Sequence, residues 1–427
     1  MKDLTLKTHN ASGRILLAAA VIGACVTAYF AVQWNFASAI AWRLDPAAPE
    51  AALLAPYLVE ISPNDPTAHF FLAQFHEKSF EPGSEELAIA SYRRAVELSP
   101  QNYVYRLALA KALSSSGEAD SAAAEFERTA ELAPHNSNVQ WVYGNFLIRQ
   151  GRADEGFRMI SAAVESDERY SMPAATIALQ VFEGDLGRLR AALGDETNLE
   201  MALAFHLVPE KRFDEAMAAW RKVFDRAMNE KTGAFSDALA DRMIGMKRYS
   251  LAATIRKELI SRSVAETGSV NDPGFEAGIK MRDAGTFDWQ IGKGTDPQIT
   301  LTESGVRGGR YSLLIIFNSF ATADFREVSQ IVLAEPNTEY ELEVWYRSDL
   351  KTDARYHWDV LDGATNVTLA KTPELKPTSE WTAAKATFRV PQGSDAVMIR
   401  FMREGCVGPT CPTAGRIAFD DITLRKL

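Results

Sequence analysis

The chain has 427 residues, more than one ordinary hydrophobic core needs, so two or three domains are expected. Its composition, 47% hydrophobic and 24% charged, is that of folded protein and excludes wholesale disorder. The formal net charge is -10 and the chain has no basic stripe, so the sequence predicts no nucleic-acid partner.

The first feature along the chain is the uncharged apolar run ILLAAAVIGACVTAYFAV at residues 15–32. A helix of this length spans about 27 Å, close to the thickness of a bilayer core. Three basic residues precede the run, Lys2, Lys7 and Arg14, and positive flanks stay in the cytoplasm. We therefore predict a single-pass membrane anchor with the rest of the chain outside the cytoplasm.

Other interpretations of this run stay open. The segment ASA at 37–39 fits cleavage of a signal sequence, and VIGAC at 21–25 resembles a lipoprotein box that would leave Cys25 lipidated. A buried helix of a soluble protein is a further alternative. The favoured prediction is a cytoplasmic tail at 1–14 and a transmembrane helix at 15–35.

The other two cysteines, Cys406 and Cys411, lie five positions apart in the loop CVGPTC. They can close a small ring, and an exported location permits a disulfide. We predict that disulfide, with two free thiols as the alternative. A metal site would need more ligands nearby, and the sequence offers none.

One phrase recurs three times, as LVEISPND (58–65), AVELSPQN (95–102) and TAELAPHN (129–136). The second and third copies are 34 residues apart, and EPGS at 81–84 lengthens the unit between the first and second. Constant spacing of this kind predicts stacked copies of one structural unit.

Small and bulky residues recur in step with these phrases. The positions are Leu72-Ala73, Ala88 and Tyr92; Leu109-Ala110, Ala122 and Phe126; Tyr143-Gly144, Gly156 and Ile160; Leu203-Ala204, Ala216 and Trp220; and Leu239-Ala240, Ala252 and Arg256. The pattern resembles the tetratricopeptide repeat, in which a small residue lets two helices touch. About six units, several of them degenerate, fall within a predicted helical domain at 36–265. The resemblance implies a concave surface for a protein partner, or alternatively a spacer.

Beyond Arg262 the period changes. A linker with turn residues at 263–274 precedes short alternating runs separated by Gly, Pro, Asn and Asp. These runs are QITLTE (298–303), RYSLLIIF (310–317), EYELEVWYRS (339–348), WTAAKATFRV (381–390) and AVMIRFM (396–402). They predict a β-sandwich at 266–427.

The order of motifs in this region is more specific than its class. NDPGFE (271–276) opens it, GGRYSLLI (308–315) and TEYELEVWYRS (338–348) follow, and GRIAFDDITL (415–424) closes it. This order resembles the jelly-roll carbohydrate-binding modules of the galactose-binding-like fold. The predicted fold class is therefore multidomain: one transmembrane helix, an all-α superhelix of repeats like the tetratricopeptide repeat, and an all-β jelly-roll sandwich.

The closing motif contains two adjacent carboxylates inside a strand. Phe419 and Ile422 are three apart, so they can share a face only if Asp420 and Asp421 form a β-bulge. The resemblance implies that the first and last strands meet there.

A structural calcium is implied by the same resemblance. Glu276, Asp420 and the Arg310 carbonyl are its candidate ligands. Calcium takes six to eight oxygens, so these ligands alone are an incomplete set. The alternative is that Asp420 and Asp421 cap backbone groups without metal.

Saccharide binding would use polar side chains with an exposed ring. Trp345 and Arg347 share the polar face of one strand, and His357 and Asp359 align in RYHWDV. We predict that these four residues line one groove. Other tryptophans are expected in the sandwich core: Trp289, Trp358 and Trp381.

No G-x-S-x-G, H-E-x-x-H or phosphate-loop motif is present, so no enzyme is predicted. The Ala-rich repeats and the short anchor suggest a bacterial inner-membrane protein whose bulk is periplasmic. The first hypothesis is an adaptor that binds a protein partner and a polysaccharide, and it resembles accessory proteins of exopolysaccharide or O-antigen assembly. The second is a purely structural factor of an envelope or pilus machine, and the third is a glycan-processing enzyme.

Overall fold

The structure is a computed structural model that describes residues 11–79, 81–226, 229–260, 266–318, 325–405 and 412–427. The chain divides into two compact units, one that ends at Leu199 and one that runs from Glu200 to Leu427. The first unit is helical, and the second contains helices followed by strands.

The described helices of the first unit are α1 (Ala11–Arg43), α2 (Ala51–Ile61), α3 (Pro66–Lys78), α4 (Ser84–Leu98), α5 (Tyr103–Ser115), α6 (Ala119–Leu132), α7 (Ser137–Arg149), α8 (Ala153–Ser166), α9 (Ser171–Val181) and α10 (Leu186–Leu193). The division between the units falls within α11 (Thr197–Leu207). The second unit continues with α12 (Phe213–Arg226), α13 (Glu230–Gly245) and α14 (Tyr249–Ile260).

Helix α1 contains one stretch, Gly13–Arg43, that is long and apolar enough to span a membrane. None of its most apolar window is buried, which argues against the alternative of a core helix in a soluble protein. The end of α1 packs against the first repeat instead: Ala37 is fully buried among apolar residues of α2 and α3. Ser38 Oγ donates a hydrogen bond to Asp65 Oδ2 at 2.7 Å.

The recurring phrase of the repeats ends on a helix N-cap. The side chains of Asp65, Asn102 and Asn136 accept hydrogen bonds from the first-turn N–H groups of α3, α5 and α7. Such a side chain satisfies an N–H group that has no partner inside the helix. The proline two residues earlier in each phrase cannot continue the preceding helix. The phrase is therefore the connection between one helical hairpin and the next.

The small residues of the repeats lie where the two helices of a hairpin meet. The predicted small positions are buried: Ala73, Ala88, Ala110, Ala122, Gly144, Gly156, Ala204, Ala216, Ala240 and Ala252. A Cβ on Gly144 would lie 2.7 Å from the Gly156 carbonyl oxygen, so α7 and α8 touch through their backbones. The period of small residues thus sets the distance between paired helices.

The described strands of the second unit are β1 (Gln290–Ile291), β2 (Gln298–Thr302), β3 (Ser312–Phe317), β4 (Val328–Leu333), β5 (Glu339–Ser348), β6 (Lys351–Thr352), β7 (Arg355–Asp362), β8 (Thr368–Lys371), β9 (Thr378–Arg389), β10 (Ala396–Glu404) and β11 (Thr413–Lys426). They form two antiparallel sheets. One has the order β1-β4-β10-β7-β8 and the other β2-β3-β11-β5-β9, with β6 paired to β11. We call them the five-stranded and the six-stranded sheet.

Between the sheets lies one apolar core, to which every long strand contributes alternate residues. Trp289 and Trp358 are in it, as predicted, and both are buried. Val270 and Phe275 also belong to it, so part of the predicted linker 263–274 packs as sandwich. The predicted order of an apolar helix, helical repeats and a β-sandwich is confirmed. The predicted domain limit between 265 and 266 borders residues 261–265, which lie outside the described residues, and stays a prediction.

Candidate functional site on the sandwich faces

The outer face of the five-stranded sheet has an apolar half and a polar half. Along β10 the outward residues are Ala396 and Met398 in one half and Arg400, Met402 and Glu404 in the other, so the charged residues lie in the second half. Ile331 and Leu333 of β4 pair with Met398 and Ala396 and complete the apolar half. The sequence of β10 therefore divides the face at Arg400.

Helix α14 covers the apolar half. Tyr249 and Ala253 pack in one cluster with Ile331, Leu333 and Ala396. The Tyr249 hydroxyl lies 3.4 Å from the Gly363 carbonyl oxygen and donates a hydrogen bond to it. This half of the face is consequently an internal interface of the second unit.

An aspartate of the sandwich caps the same helix. Asp395 Oδ1 accepts a hydrogen bond from the Tyr249 N–H at 3.2 Å, and its Oδ2 accepts one from the Ser250 N–H at 3.0 Å. The Ser250 hydroxyl also donates to Oδ2. A carboxylate at a helix N-terminus satisfies free N–H groups and complements the helix dipole. Asp395 thus joins the last hairpin to the sheet.

The polar half of this face holds two of the predicted ligand-binding residues. His357 and Asp359 are both buried on β7, and His357 Nε2 lies 2.9 Å from Asp359 Oδ1. Arg400 donates a hydrogen bond to Asp359 Oδ2 at 3.4 Å. Lys371 pairs with Glu404 above them, and this hydrogen bond holds the pKa of Glu404 below its usual value. These residues form a compact charged cluster.

The buried atoms of this cluster are incompletely satisfied. His357 Nε2 and Asp359 Oδ1 approach each other outside hydrogen-bond geometry, and within the described residues neither has a hydrogen-bond partner. Buried polar atoms without partners are uncommon in folded proteins. A binding role for His357 and Asp359 stays a prediction.

The structure does not bring the four predicted groove residues together. Trp345 and Arg347 lie on β5 of the six-stranded sheet, whereas His357 and Asp359 lie on β7 of the five-stranded sheet. Both pairs face outwards, on opposite sides of the sandwich. The single groove of the sequence analysis is therefore wrong, because alternation along a strand does not say which sheet the strand joins.

Trp345 is held by contacts inside the chain. The Arg307 guanidinium stacks on its ring, with the guanidinium carbon 3.9 Å from the ring centroid. The indole N–H donates a hydrogen bond to Glu343 Oε1 at 2.7 Å. The Lys385 hydrogen bond, with a smaller effect of this indole bond, lowers the pKa of Glu343 below its usual value. Trp345 lines a hollow of about 520 Å³, but Arg307 covers one face of its ring.

A second hollow of about 340 Å³ lies beside Arg347 on the same face, and we call it the sheet cleft. Its walls carry hydroxyl and charged groups, and its floor is apolar. The residues that line it are Thr302, Ser304, Leu314, Arg347, Ser348, Asp349, Thr378, Ser379, Arg416 and Ala418. Most of them were missed by sequence reasoning. Arg416 alternates with the buried Ile417 and Phe419 along β11, and this alternation could have placed it on an outer face, though not in this cleft.

Arg347 is fixed in the wall of the cleft. Its Nη2 donates a hydrogen bond to the Ser304 carbonyl oxygen at 2.9 Å, and its guanidinium lies over the Trp381 ring, 5.4 Å from the centroid. Trp381 is only half-buried and faces outwards, so its predicted place in the core is wrong. The alternation of β9 buries Ala384, Ala386 and Phe388, and Trp381 has the opposite parity.

The predicted bulge in β11 is confirmed. The pairing with β5 shifts register between Asp420 and Thr423, and Asp421 takes a left-handed backbone conformation with φ 46°. Phe419 and Ile422 are both fully buried as a result. Burial raises the pKa of Asp420 above its usual value, although peptide N–H groups oppose the shift.

The candidate calcium ligands lie together at the corner where the domain opens and closes. Asp420 Oδ2 accepts hydrogen bonds from the N–H groups of Arg307 and Gly308, at 2.9 and 3.2 Å. Glu276 Oε1 accepts from the N–H groups of Arg310 and Tyr311, at 2.9 and 3.0 Å. Peptide N–H groups of one loop therefore satisfy both carboxylates, and Asp420 caps backbone groups as the alternative without metal describes.

The groups around these two carboxylates also contact one another within the chain. Residue 310 reaches Glu276 through its N–H group, and Asp421 pairs with the Arg307 guanidinium. In the part of the chain that the structure describes, no group of three or more His, Cys, Asp or Glu residues is placed to hold a metal ion. Calcium at this corner stays a prediction of the resemblance. The disulfide predicted from the spacing of Cys406 and Cys411 also stays a prediction, since both cysteines lie outside the described residues.

The helical unit has a small groove of its own. A hollow of about 280 Å³ lies between α5 and α7 and is lined by Lys111, Ser114, Ser115, Phe126, Trp141, Val142, Asn145 and Arg149. The lining combines two aromatic rings and an amide with two cations, Lys111 and Arg149.

A family model of the tetratricopeptide repeat matches residues 80–140. This stretch consists of tetratricopeptide repeats. A search of curated proteins found no match. The matched stretch covers α4 to α6 and the first residues of α7.

Similar solved structures include carbohydrate-binding modules and tetratricopeptide repeat proteins. The xylanase 10B modules CBM22-1 and GH10 from Clostridium thermocellum, complexed with xylohexaose, are 18% identical over 38% of this chain and 29% of that chain, with a TM-score of 0.27. TmCBM61 in complex with β-1,4-galactotriose is 17% identical over 37% of this chain and 99% of that chain, with a TM-score of 0.27. PilF from Pseudomonas aeruginosa is 18% identical over 46% of this chain and 93% of that chain, with a TM-score of 0.27.

Proposed function

We propose that this chain is a membrane-anchored, non-catalytic adaptor that binds a protein partner through its repeats and a glycan through the sheet cleft. The observation that carries the glycan part is the cleft itself, with hydroxyl groups on its walls, Ala418 and Leu314 on its floor and Trp381 behind Arg347. Saccharides offer hydroxyls to polar groups and C–H faces to apolar ones, and this lining supplies both. The groove beside Trp141 supports the protein part.

The proposal includes retention of α1 as a membrane anchor in the bacterial inner membrane. Cleavage after 37–39 would remove Ala37 from its buried position and break the hydrogen bond between Ser38 and Asp65. We expect the chain to resist alkaline extraction from membranes and, in intact-mass measurement, to retain the residues before 37. A mature N-terminus at residue 40, or a lipid on Cys25, would contradict the retained anchor.

The glycan part is tested by binding of the detergent-solubilised full chain to a printed glycan array. We expect saccharide binding that falls about tenfold or more in Arg347→Leu, because this change removes a preorganised donor and uncovers Trp381. The control is His357→Gln on the other sheet, which should bind as the unchanged protein does. Thermal unfolding of each variant shows whether it is folded.

The result also separates the hypotheses. Loss of binding in His357→Gln alone would move the site to the charged cluster of the five-stranded sheet. Loss in Trp345→Ala alone would move it to the neighbouring hollow beside Arg307. Binding to no printed glycan would contradict the glycan part and favour a purely structural assembly factor of an envelope or pilus machine.

A further inference from the structure

The sheet cleft has a charge pattern that selects among saccharides. We infer that its ligand is an acidic saccharide, such as a uronic-acid-containing chain, whose carboxylate lies between Arg347 and Arg416. This inference rests on the proposed glycan binding and specifies it. The chain as a whole carries a net charge of -10, yet the described lining of the cleft has two arginines against one aspartate, Asp349.

The two arginines lie on the same face of neighbouring strands. Arg347 pairs directly with Ala418, and Arg416 is two residues from Ala418 along β11. Such diagonal neighbours are separated by about 7–8 Å. The residue between the two arginines is Ala418, whose side chain is only a methyl group, so the space above it stays open. Two guanidinium groups at this separation can bind one carboxylate from both sides.

Arg347 is preorganised for this role. One of its N–H groups is bonded to the Ser304 carbonyl oxygen, and its guanidinium carbon lies over the Trp381 ring, 5.4 Å from the centroid. An arginine carries five N–H donors, so further donors are left for a ligand. Because the side chain is already fixed, binding orders little that was mobile before.

Arg416 is paired, but weakly enough to exchange its partner. Its Nη2 lies 3.5 Å from Asp349 Oδ2, and both side chains are more than half exposed. Exposed pairs of this kind contribute little to stability, because solvent screens the attraction and holding two long side chains in one geometry costs entropy. The guanidinium group can therefore turn to a ligand carboxylate while the backbone N–H of Arg416 keeps its hydrogen bond to Asp349 Oδ1.

The remaining lining suits the rest of a sugar ring. Thr302, Ser304 and Ser379 offer hydroxyl groups along two sides of the cleft. Leu314 and Ala418 form an apolar floor on which the C–H face of a pyranose can rest. A small inorganic anion would use the arginines alone and leave these groups without a role.

The experiment compares oligogalacturonate with its carboxyl-reduced, neutral counterpart, using the full chain in detergent and calorimetric titration. We expect the acidic form to bind and the neutral form to bind at least tenfold more weakly. Arg416→Gln should weaken oligogalacturonate binding about tenfold to a hundredfold, the usual effect of losing a hydrogen bond to a charged group. Arg416→Lys keeps the positive charge but loses the planar guanidinium group. Its affinity for oligogalacturonate should lie between those of the unchanged chain and Arg416→Gln.

The control is Arg389→Gln, which removes another exposed arginine of the six-stranded sheet outside the cleft. It should leave affinity unchanged. Equal binding of acidic and neutral forms, or no effect of Arg416→Gln, would overturn the acidic ligand while leaving glycan binding intact. Equal competition by inorganic phosphate would overturn the saccharide part. Failure of both saccharides to bind, together with an array that shows no glycan binding, would overturn the proposed function itself.

Discussion

Gly144→Ala is expected to destabilise the repeats by about 3 kcal/mol, the upper part of the range for overpacking a core. The added methyl group would lie 2.7 Å from the Gly156 carbonyl oxygen and 2.7 Å from Ile160 Cγ1. The isoleucine can rotate, but the carbonyl belongs to the backbone of α8, so the two helices must separate. Alanine's higher helix propensity, worth about 1 kcal/mol, cannot offset this. Circular dichroism of the detergent-solubilised chain should show a midpoint roughly 6–12 °C lower.

The matched control is Gly233→Ala, the same substitution inside α13. A Cβ at Gly233 meets no atom of the described residues within 4 Å. Only the propensity difference then acts, so this variant should be as stable as the unchanged protein or more stable by about 0.5–1 kcal/mol. A midpoint for Gly144→Ala at or above that of the unchanged chain would contradict backbone contact between α7 and α8.

The repeats could be predicted from sequence because each of their signals is local. A proline, an N-cap two residues later and a small residue at fixed spacing act within one helical hairpin or between neighbours. Asp65, Asn102 and Asn136 occupy equivalent positions in the phrase and in the structure. Such signals need no knowledge of distant parts of the chain.

The strands were predicted where one face meets solvent. Strand β5 alternates along its whole length between buried and half-buried residues after an exposed first residue, and its predicted limits agree with the structure. Strand β4, VSQIVL, was missed because all its residues are buried and it has no alternation. Helix α14 covers one face of β4, so that face is buried as well as the core face. The residues of β4 alone do not indicate that a helix from another part of the chain packs on them.

The site was harder to predict for the same reason. Parity along a strand correctly grouped Trp345 with Arg347 and His357 with Asp359. It could not say that β5 and β7 belong to different sheets, since strand order depends on pairing between distant segments. Arg416 entered the cleft only through the pairing of β11 with β5. Long-range pairing therefore decides which correctly predicted faces become one surface.

Asp395→Ala is expected to loosen the last hairpin from the sandwich by about 2 kcal/mol. The substitution removes the acceptor of two N–H groups and of the Ser250 hydroxyl. Loss of a helix cap costs about 0.5–2 kcal/mol, and hydrogen bonds to a charged group lie at or above that range. The apolar contacts of Tyr249 and Ala253 persist, so α14 should open locally while the sandwich stays folded.

Hydrogen exchange followed by mass spectrometry measures this opening directly. An effect of 2 kcal/mol corresponds to roughly 30-fold faster exchange in peptides of α14, with little change in β5 and β11. Ser250→Ala removes one of the accepted hydrogen bonds and should give a smaller increase, whereas Asp353→Ala, on an exposed turn, should give none. Unchanged exchange of α14 in Asp395→Ala would mean that the apolar contacts alone hold the helix. The carboxylate would then have no part in joining the repeats to the sheet.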